Sequence, residues 1–265
     1  HVPSTTLIME LLNSNIIGEG ENNLLILHGF LGMGDNWKTH AKNLAEKGYC
    51  VHLIDQRNHG RSFWSVDFSY KFMVEDLKYY MDHHQIASAI ILGHSMGGKT
   101  AMNFALRYSK LVEKLIIVDI SPKYYAPHHQ NILAGLVSLD FQVIRSRKVA
   151  EEQLSNYISD FGTRQFLLKN LHWLKDGKLG LRVNIEVLKN CGEAIGQAVN
   201  FDKVFDKPAL FMIGSNSNYV DKSIDNYMIK SFFLKTEMIE IKGAGHWLHA
   251  EQPKLFFDHL ISWID

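Results

Sequence analysis

Short apolar runs recur along the chain, each bounded by turn residues, and longer segments with helical spacing lie between most of them. The runs predict strands at Thr6–Leu11, Leu24–His28, Cys50–Asp55, Ala89–Gly93, Leu115–Asp119, Ala209–Gly214 and Glu237–Lys242. Runs such as Leu-Leu-Ile-Leu and Ile-Ile-Leu are apolar on both faces, which suits a parallel sheet buried between helix layers. The intervening spacing predicts helices over Trp37–Lys47, Tyr70–His84, Met96–Tyr108, Asp221–Leu234 and Pro253–Ile264. Alternation of strand and helix argues an α/β fold with a mostly parallel sheet flanked by helices.

The rhythm breaks between about Ser121 and Asp206, where the pattern predicts no strand. Helical pieces are expected there at His128–Leu139, Val149–Asp160, Thr163–Leu171 and Leu181–Cys191. This divides the chain into a core of residues 1–120 and 207–265 and a helical lid of residues 121–206, inserted between two strands. An insertion at the carboxyl end of the strands roofs the place where α/β sheets bind ligands.

With 265 residues the chain is long enough for one large domain. Lys plus Arg equals Asp plus Glu at 28 each, so the charge balance argues against a nucleic-acid surface. No apolar run reaches the roughly 20 residues that span a bilayer, so no stable membrane insertion is expected. The first residues lack a basic segment followed by an apolar core, and no signal peptide is expected. Cys50 and Cys191 lie far apart and read as buried free thiols, which fits a reducing cytoplasm.

The segment "AIILGHSMGGKTAMNFAL" carries the most chemical information. A buried strand ends at Gly93, Gly-x-Ser-x-Gly follows, and small and apolar residues at helical spacing continue from Lys99. Strand–turn–helix is the context that motif requires. The turn is so tight that a side chain at Gly93 or Gly97 would collide with backbone. Ser95 is thereby lifted to the N-terminus of a helix, where developing negative charge is favoured. In "LLILHGFLGMGDNW" a strand ends at His28-Gly29, and the Phe30 N–H is expected beside the Met96 N–H as an oxyanion hole. His28 reads as a residue that orders its loop. In "LIDQRNHGRS", Asp55, Arg57, His59 and Gly60 read as an internal polar network. His246, in "IKGAGHWLHAEQP" after the last strand, is the expected general base, with His249 as its competitor.

A carboxylate is needed to hold such a histidine. Two remain open: Asp119, an abrupt acid at the end of a buried strand, and Asp221, which could equally cap its own helix. No His, Cys and carboxylate cluster has convincing zinc spacing, so neither a metal nor an organic cofactor is expected. Phe30, Trp37, Met96, Tyr125 and Trp247 adjoin the motifs, and the lid adds Phe141, Phe161, Phe166 and Trp173. Together they suggest an apolar pocket for an acyl or alkyl group.

These motifs, with "VDISPKYY", "RVNIEVL" and "GSNSNYV", resemble the α/β-hydrolase superfamily from about Leu24 to Pro253. "NHGRS", "HSMGGKTAM" with "VDISP", and "NSNYV" are similar to the subgroup of YbfF-type bacterial esterases and α/β-hydrolase domain-containing protein 11. The resemblance implies Ser95, Asp119 and His246 as catalytic residues, because Ser217 occupies the place where much of the superfamily holds its acid. It also marks Arg182 and Asn184 as the subgroup's "RxN" pattern, where Arg182 could bind a polar substrate group or pin the lid. Trp37, Tyr125, Arg182 and Trp247 are the expected substrate-binding residues. The implied activity is hydrolysis of a small-molecule carboxylic ester or thioester. Acyl transfer, perhydrolysis, carbon–carbon cleavage and a non-enzymatic receptor remain the competing readings.

Overall fold

The buried runs assemble into a seven-stranded sheet in the order β1-β3-β2-β4-β5-β8-β9 in a computed structural model that describes residues 9–265. Its strands are β1 (Ser14–Ile17), β2 (Asn23–Leu27), β3 (Cys50–Ile54), β4 (Ala89–His94), β5 (Val112–Val118), β8 (Phe205–Gly214) and β9 (Phe233–Ile241). Only β1 runs antiparallel; every other neighbouring pair is parallel.

Strand alternation explains the layers. Leu25 and Leu27 point to one face, where they pack with α2 (Tyr70–His83) and α3 (Met96–Arg107). Leu24 and Ile26 point to the other and meet α1 (Lys38–Glu46) and α11 (Pro253–Ile264). Both faces of the central strands are buried, so Leu24–Leu27, Ala89–Leu92 and Leu115–Val118 read as unbroken apolar runs. At the far edge, α9 (Lys222–Phe232) links β8 to β9.

Between β5 and β8 the chain forms α4 (Gln130–Val137), α5 (Arg147–Leu154), α6 (Phe161–Leu168), α7 (Ile185–Leu188) and α8 (Gly192–Gly196). The insertion has its own apolar cluster, including Leu136, Leu154 and Leu167, which also packs on Leu31 and Met96 of the core. The short α10 (Leu248–Glu251) precedes α11.

Three sequence expectations are corrected. The insertion does contain strands: β6 (Leu171–Trp173) and β7 (Leu179–Leu181) form an antiparallel hairpin. Its turn carries Asp176-Gly177, and Gly177 has φ +82°, the left-handed geometry that Asp-Gly turns supply. The helix expected from Leu181 is consequently reduced to Ile185–Leu188. The first strand lies at Ser14–Ile17. Thr6–Ile8 of the expected strand fall outside the described residues, and Met9–Leu11 are not strand. An edge strand pairs on one side only, so half-polar "SNII" suffices there.

Candidate active site

Strand ends bring the chemistry together. Ser95 sits between β4 and α3 with φ +54°, one of five non-glycine residues in the left-handed region among those described. Such backbone costs on the order of 1–3 kcal/mol and persists only where its surroundings enforce it. Here the enforcement is visible: a Cβ at Gly97 would overlap the Leu27 carbonyl, and one at Gly93 would overlap that of Gly97. The Ser95 N–H donates to Val118 O of β5 at 3.1 Å.

Ser95 Oγ lies 2.9 Å from His246 Nε2. His246 Nδ1 lies 2.7 Å from Asp119 Oδ2. The Asp119 side chain is wholly buried and accepts two further hydrogen bonds, from Ser217 Oγ at 2.5 Å and from the Gly214 N–H at 3.1 Å. With Nδ1 of His246 donating to this carboxylate, Nε2 is free to accept from the Ser95 hydroxyl. Asp221 does something else: it caps α9, accepting from the N–H groups of Ser223 and Ile224 at 3.0 and 3.2 Å. The Ser223 hydroxyl and these amides hold its carboxyl below the usual range. Ser217, where the resemblance looked for an acid, serves Asp119 as a donor.

The N–H groups of Phe30 and Met96 donate to no acceptor among the described residues. The loop that carries Phe30 is fixed by histidines. His28 Nδ1 donates to Gly29 O at 2.8 Å while Nε2 accepts from the Gln56 N–H at 2.9 Å. His59 Nε2 accepts from the Leu31 N–H at 3.1 Å. Burial pushes His28 down to about 4 and His59 to about 3, so both act as neutral spacers. Asp55 accepts from the Gly34 N–H at 2.7 Å and the Arg61 N–H at 3.0 Å. These contacts match the ordering roles read for His28 and the Asp55 network.

No sequence signal assigns a role to His94 or His128, whereas the loop around Ser217 is expected to shape the floor beneath His246, with Tyr219 packing nearby. Tyr219 stacks on His246 with centroids 3.6 Å apart and planes 13° from parallel. Its hydroxyl lies 2.5 Å from His128 Nε2, so the insertion touches the partner of His246. His94 Nε2 donates to His246 O at 2.8 Å and fixes the loop from below. For His94 the available signal is a histidine inside the serine motif.

Two chambers meet at Ser95. One, of about 140 Å³, is lined by His246, Trp37, Phe166 and Trp247. The other, of about 30 Å³, is lined by Met96, Tyr125 and Ile195. Phe30 and His129, with ring centroids 5.0 Å apart, border both. Trp37 forms buried floor, stacked on His249 at 3.8 Å. Tyr125 spends its hydroxyl on Tyr219 O, at 2.6 Å. Arg182 lines neither chamber. Its carbonyl accepts from Trp64, while Asn184 ties the insertion to Asn58 at 2.9 and 3.0 Å. Of the insertion's aromatics, Phe166 reaches a chamber, Phe141 packs inside the insertion, and Phe161 and Trp173 are exposed.

Residues 22–253 match the family described as having the alpha/beta hydrolase fold. The chain is 38% identical over 256 residues to the sn-1-specific diacylglycerol lipase ABHD11 of Danio rerio, covering 93% of this chain and 80% of the relative. It is 33% identical over 233 residues to Esterase YbfF of Escherichia coli, covering 87% of this chain and 88% of that one. Among solved structures, a marine microorganism esterase superposes with a TM-score of 0.92 at 40% identity, covering 95% of this chain and 98% of the other.

Proposed function

This chain belongs to the α/β-hydrolase fold family, and on that premise we propose that it is a serine hydrolase of carboxylic ester or thioester bonds, working through an acyl-enzyme intermediate. The unbroken run of contacts from Ser95 Oγ through His246 to Asp119, 2.9 and 2.7 Å, carries this reading. That similar proteins are named a lipase and an esterase supports an ester as the bond attacked.

His246 takes the Ser95 proton as Oγ attacks the carbonyl carbon. Asp119 holds the Nδ1–H tautomer and stabilises the imidazolium that forms. The free Phe30 and Met96 N–H groups receive the oxyanion; losing one such donor typically costs about 100- to 1,000-fold in rate. Collapse breaks the ester bond, and the leaving oxygen or sulfur takes the proton from His246 Nε2. Water, deprotonated by His246, then releases the acid. Residues 121–206 act as the lid over a core formed by 1–120 and 207–265, and Trp37, Trp247 and Tyr125 shape the substrate chambers.

The test is turnover of p-nitrophenyl and CoA acyl esters of graded length by the wild type and by Ser95→Ala. Wild-type hydrolysis that disappears in the variant is the expected result. Absence of any Ser95-dependent turnover would defeat the proposal.

A further inference from the structure

An open groove of about 670 Å³ runs along the outside of the Ser95 chamber, between α6 and α10. Gly162 and Ala250 line the groove but not the chamber, whereas Thr163, Phe166, His246 and Trp247 line both. Groove and chamber thus adjoin along these four residues and meet at the Phe166 and Trp247 rings, whose centroids stand 5.9 Å apart. The groove's floor is apolar, and its charged groups, Asp160, Lys169 and Glu251, stand at solvent-exposed positions. A space of this kind takes an extended apolar chain and leaves its far end in water.

The chemistry at Ser95 decides which end of the substrate enters. The proton carried by His246 Nε2 must reach the leaving oxygen, so the leaving group departs on the side of His246. His246 and Trp247 line the 140 Å³ chamber and the groove; neither lines the 30 Å³ chamber beside Met96. Resting on the ester-hydrolase reading above, we infer that the α6–α10 groove is the binding site for the leaving alcohol or thiol arm. The preferred substrate is then an ester whose alcohol side carries a long apolar chain. The acyl side faces Met96, Tyr125 and Ile195.

Two ester series test this. One holds the acyl group at acetyl and lengthens the alcohol from ethyl to dodecyl; the other lengthens the acyl chain of ethyl esters. Acid release is followed in a pH-stat. Gly162→Trp fills the groove, and a Cβ there meets nothing closer than Asp160 Oδ2 at 3.4 Å. Ala250→Trp, at an exposed position, fills it from the opposite wall. Either variant should lower the dodecyl-to-ethyl ratio of kcat/KM in the acetate series by about tenfold or more, as expected from loss of several buried methylenes. The ratios in the acyl series should hold. An unchanged acetate-series ratio overturns the inference, and a change confined to the acyl series overturns the assignment of the arms. Binding of dansylundecanol to Ser95→Ala protein, read by fluorescence, gives an answer independent of turnover. Affinity that both tryptophan variants leave unchanged excludes the groove even if the protein hydrolyses no ester. Wild-type turnover that survives Ser95→Ala would instead remove the hydrolase reading itself.

Discussion

Replacing Asp119 with asparagine separates the two candidate carboxylates most sharply, because the site prescribes what an amide must do there. The carboxylate accepts three hydrogen bonds, from His246, Ser217 and the Gly214 N–H. An amide offers one accepting oxygen and one donating nitrogen. If the oxygen stays with Gly214, the nitrogen faces His246 Nδ1, which must then accept. The imidazole proton moves to Nε2, toward Ser95, and the base is lost. If the amide turns over, its nitrogen opposes the Gly214 N–H in a fully buried site. Two opposed donors cost about 1–3 kcal/mol. The missing charge beside the imidazolium adds a few kcal/mol, given about 4 kcal/mol for unit charges 4 Å apart at an effective dielectric near 20. Together these predict a fall in kcat of about 1,000- to 10,000-fold, comparable with the loss generally found when a triad aspartate is made asparagine. The assay is steady-state hydrolysis of p-nitrophenyl butanoate, with circular dichroism establishing that the variant is folded. Asp221→Asn should leave kcat within about twofold, since asparagine also caps helices well. A folded Asp119→Asn protein that retains kcat within tenfold, or a larger loss in Asp221→Asn, would refute the assignment.

Tyr219→Leu removes the ring stacked on His246 and should lower kcat about tenfold or more while altering its pH profile, whereas Tyr219→Phe keeps the stack and most of kcat. Moving the acid, by combining Asp119→Ser with Ser217→Asp, should recover kcat well above that of Asp119→Ser alone; no recovery in a folded double variant would show that the two positions are not interchangeable. Burial holds His28 and His52 at about 4 and His59, His94 and His129 at about 3. The unfolded chain therefore binds protons below about 6.5 that the fold refuses, so the contribution of these histidines to stability is full above that pH and declines toward pH 4, by up to about 1.4 kcal/mol per pH unit for each histidine; urea midpoints at pH 7.5 and 5 measure it. Lys99 is wholly buried, donates to the carbonyls of Lys123 and Gln197, and is lowered by burial to about 7. Unfolding releases this lysine to its ordinary value, so stability should rise between pH 7 and 10.5, and Lys99→Met should flatten that slope by about 1.4 kcal/mol per pH unit.

The central strands were legible because burial on both faces leaves a local, unbroken apolar signature. Ser95 was legible because its geometry demands glycines at fixed offsets. β1 was not, because an edge strand buries little and its four residues include Ser14 and Asn15. The hairpin in the insertion was not legible: "WLKDGKLGL" carries Asp-Gly between two apolar runs, but three-residue strands are too short for periodicity to register. The placement of Trp37 and Arg182 depends on packing between segments far apart in sequence. Trp37 is set by His249, and Arg182 is set by the hairpin and Trp64. No pattern within either segment reports those contacts.

Asp119 and Ser217 could stand in for one another because their strands are neighbours. β5 and β8 pair in parallel with Val118 opposite Met212, so residues just beyond each strand emerge at the same point above the sheet. Asp119 donates its N–H to Met212 O at 2.8 Å, which continues the ladder one residue past the strand. Its φ of +55° turns the chain there. The cost of that backbone falls on the residue whose carboxylate meets His246. The loop after β8, relieved of supplying the charge, supplies what a buried charge needs instead: the Ser217 hydroxyl and the Gly214 N–H as donors, and the Tyr219 ring against the imidazole. A carboxylate with three donors is held in one orientation, and a histidine pressed between that carboxylate and a stacked ring has little freedom to turn from Ser95. The serine where an acid was looked for is therefore part of the device that positions the acid one strand away.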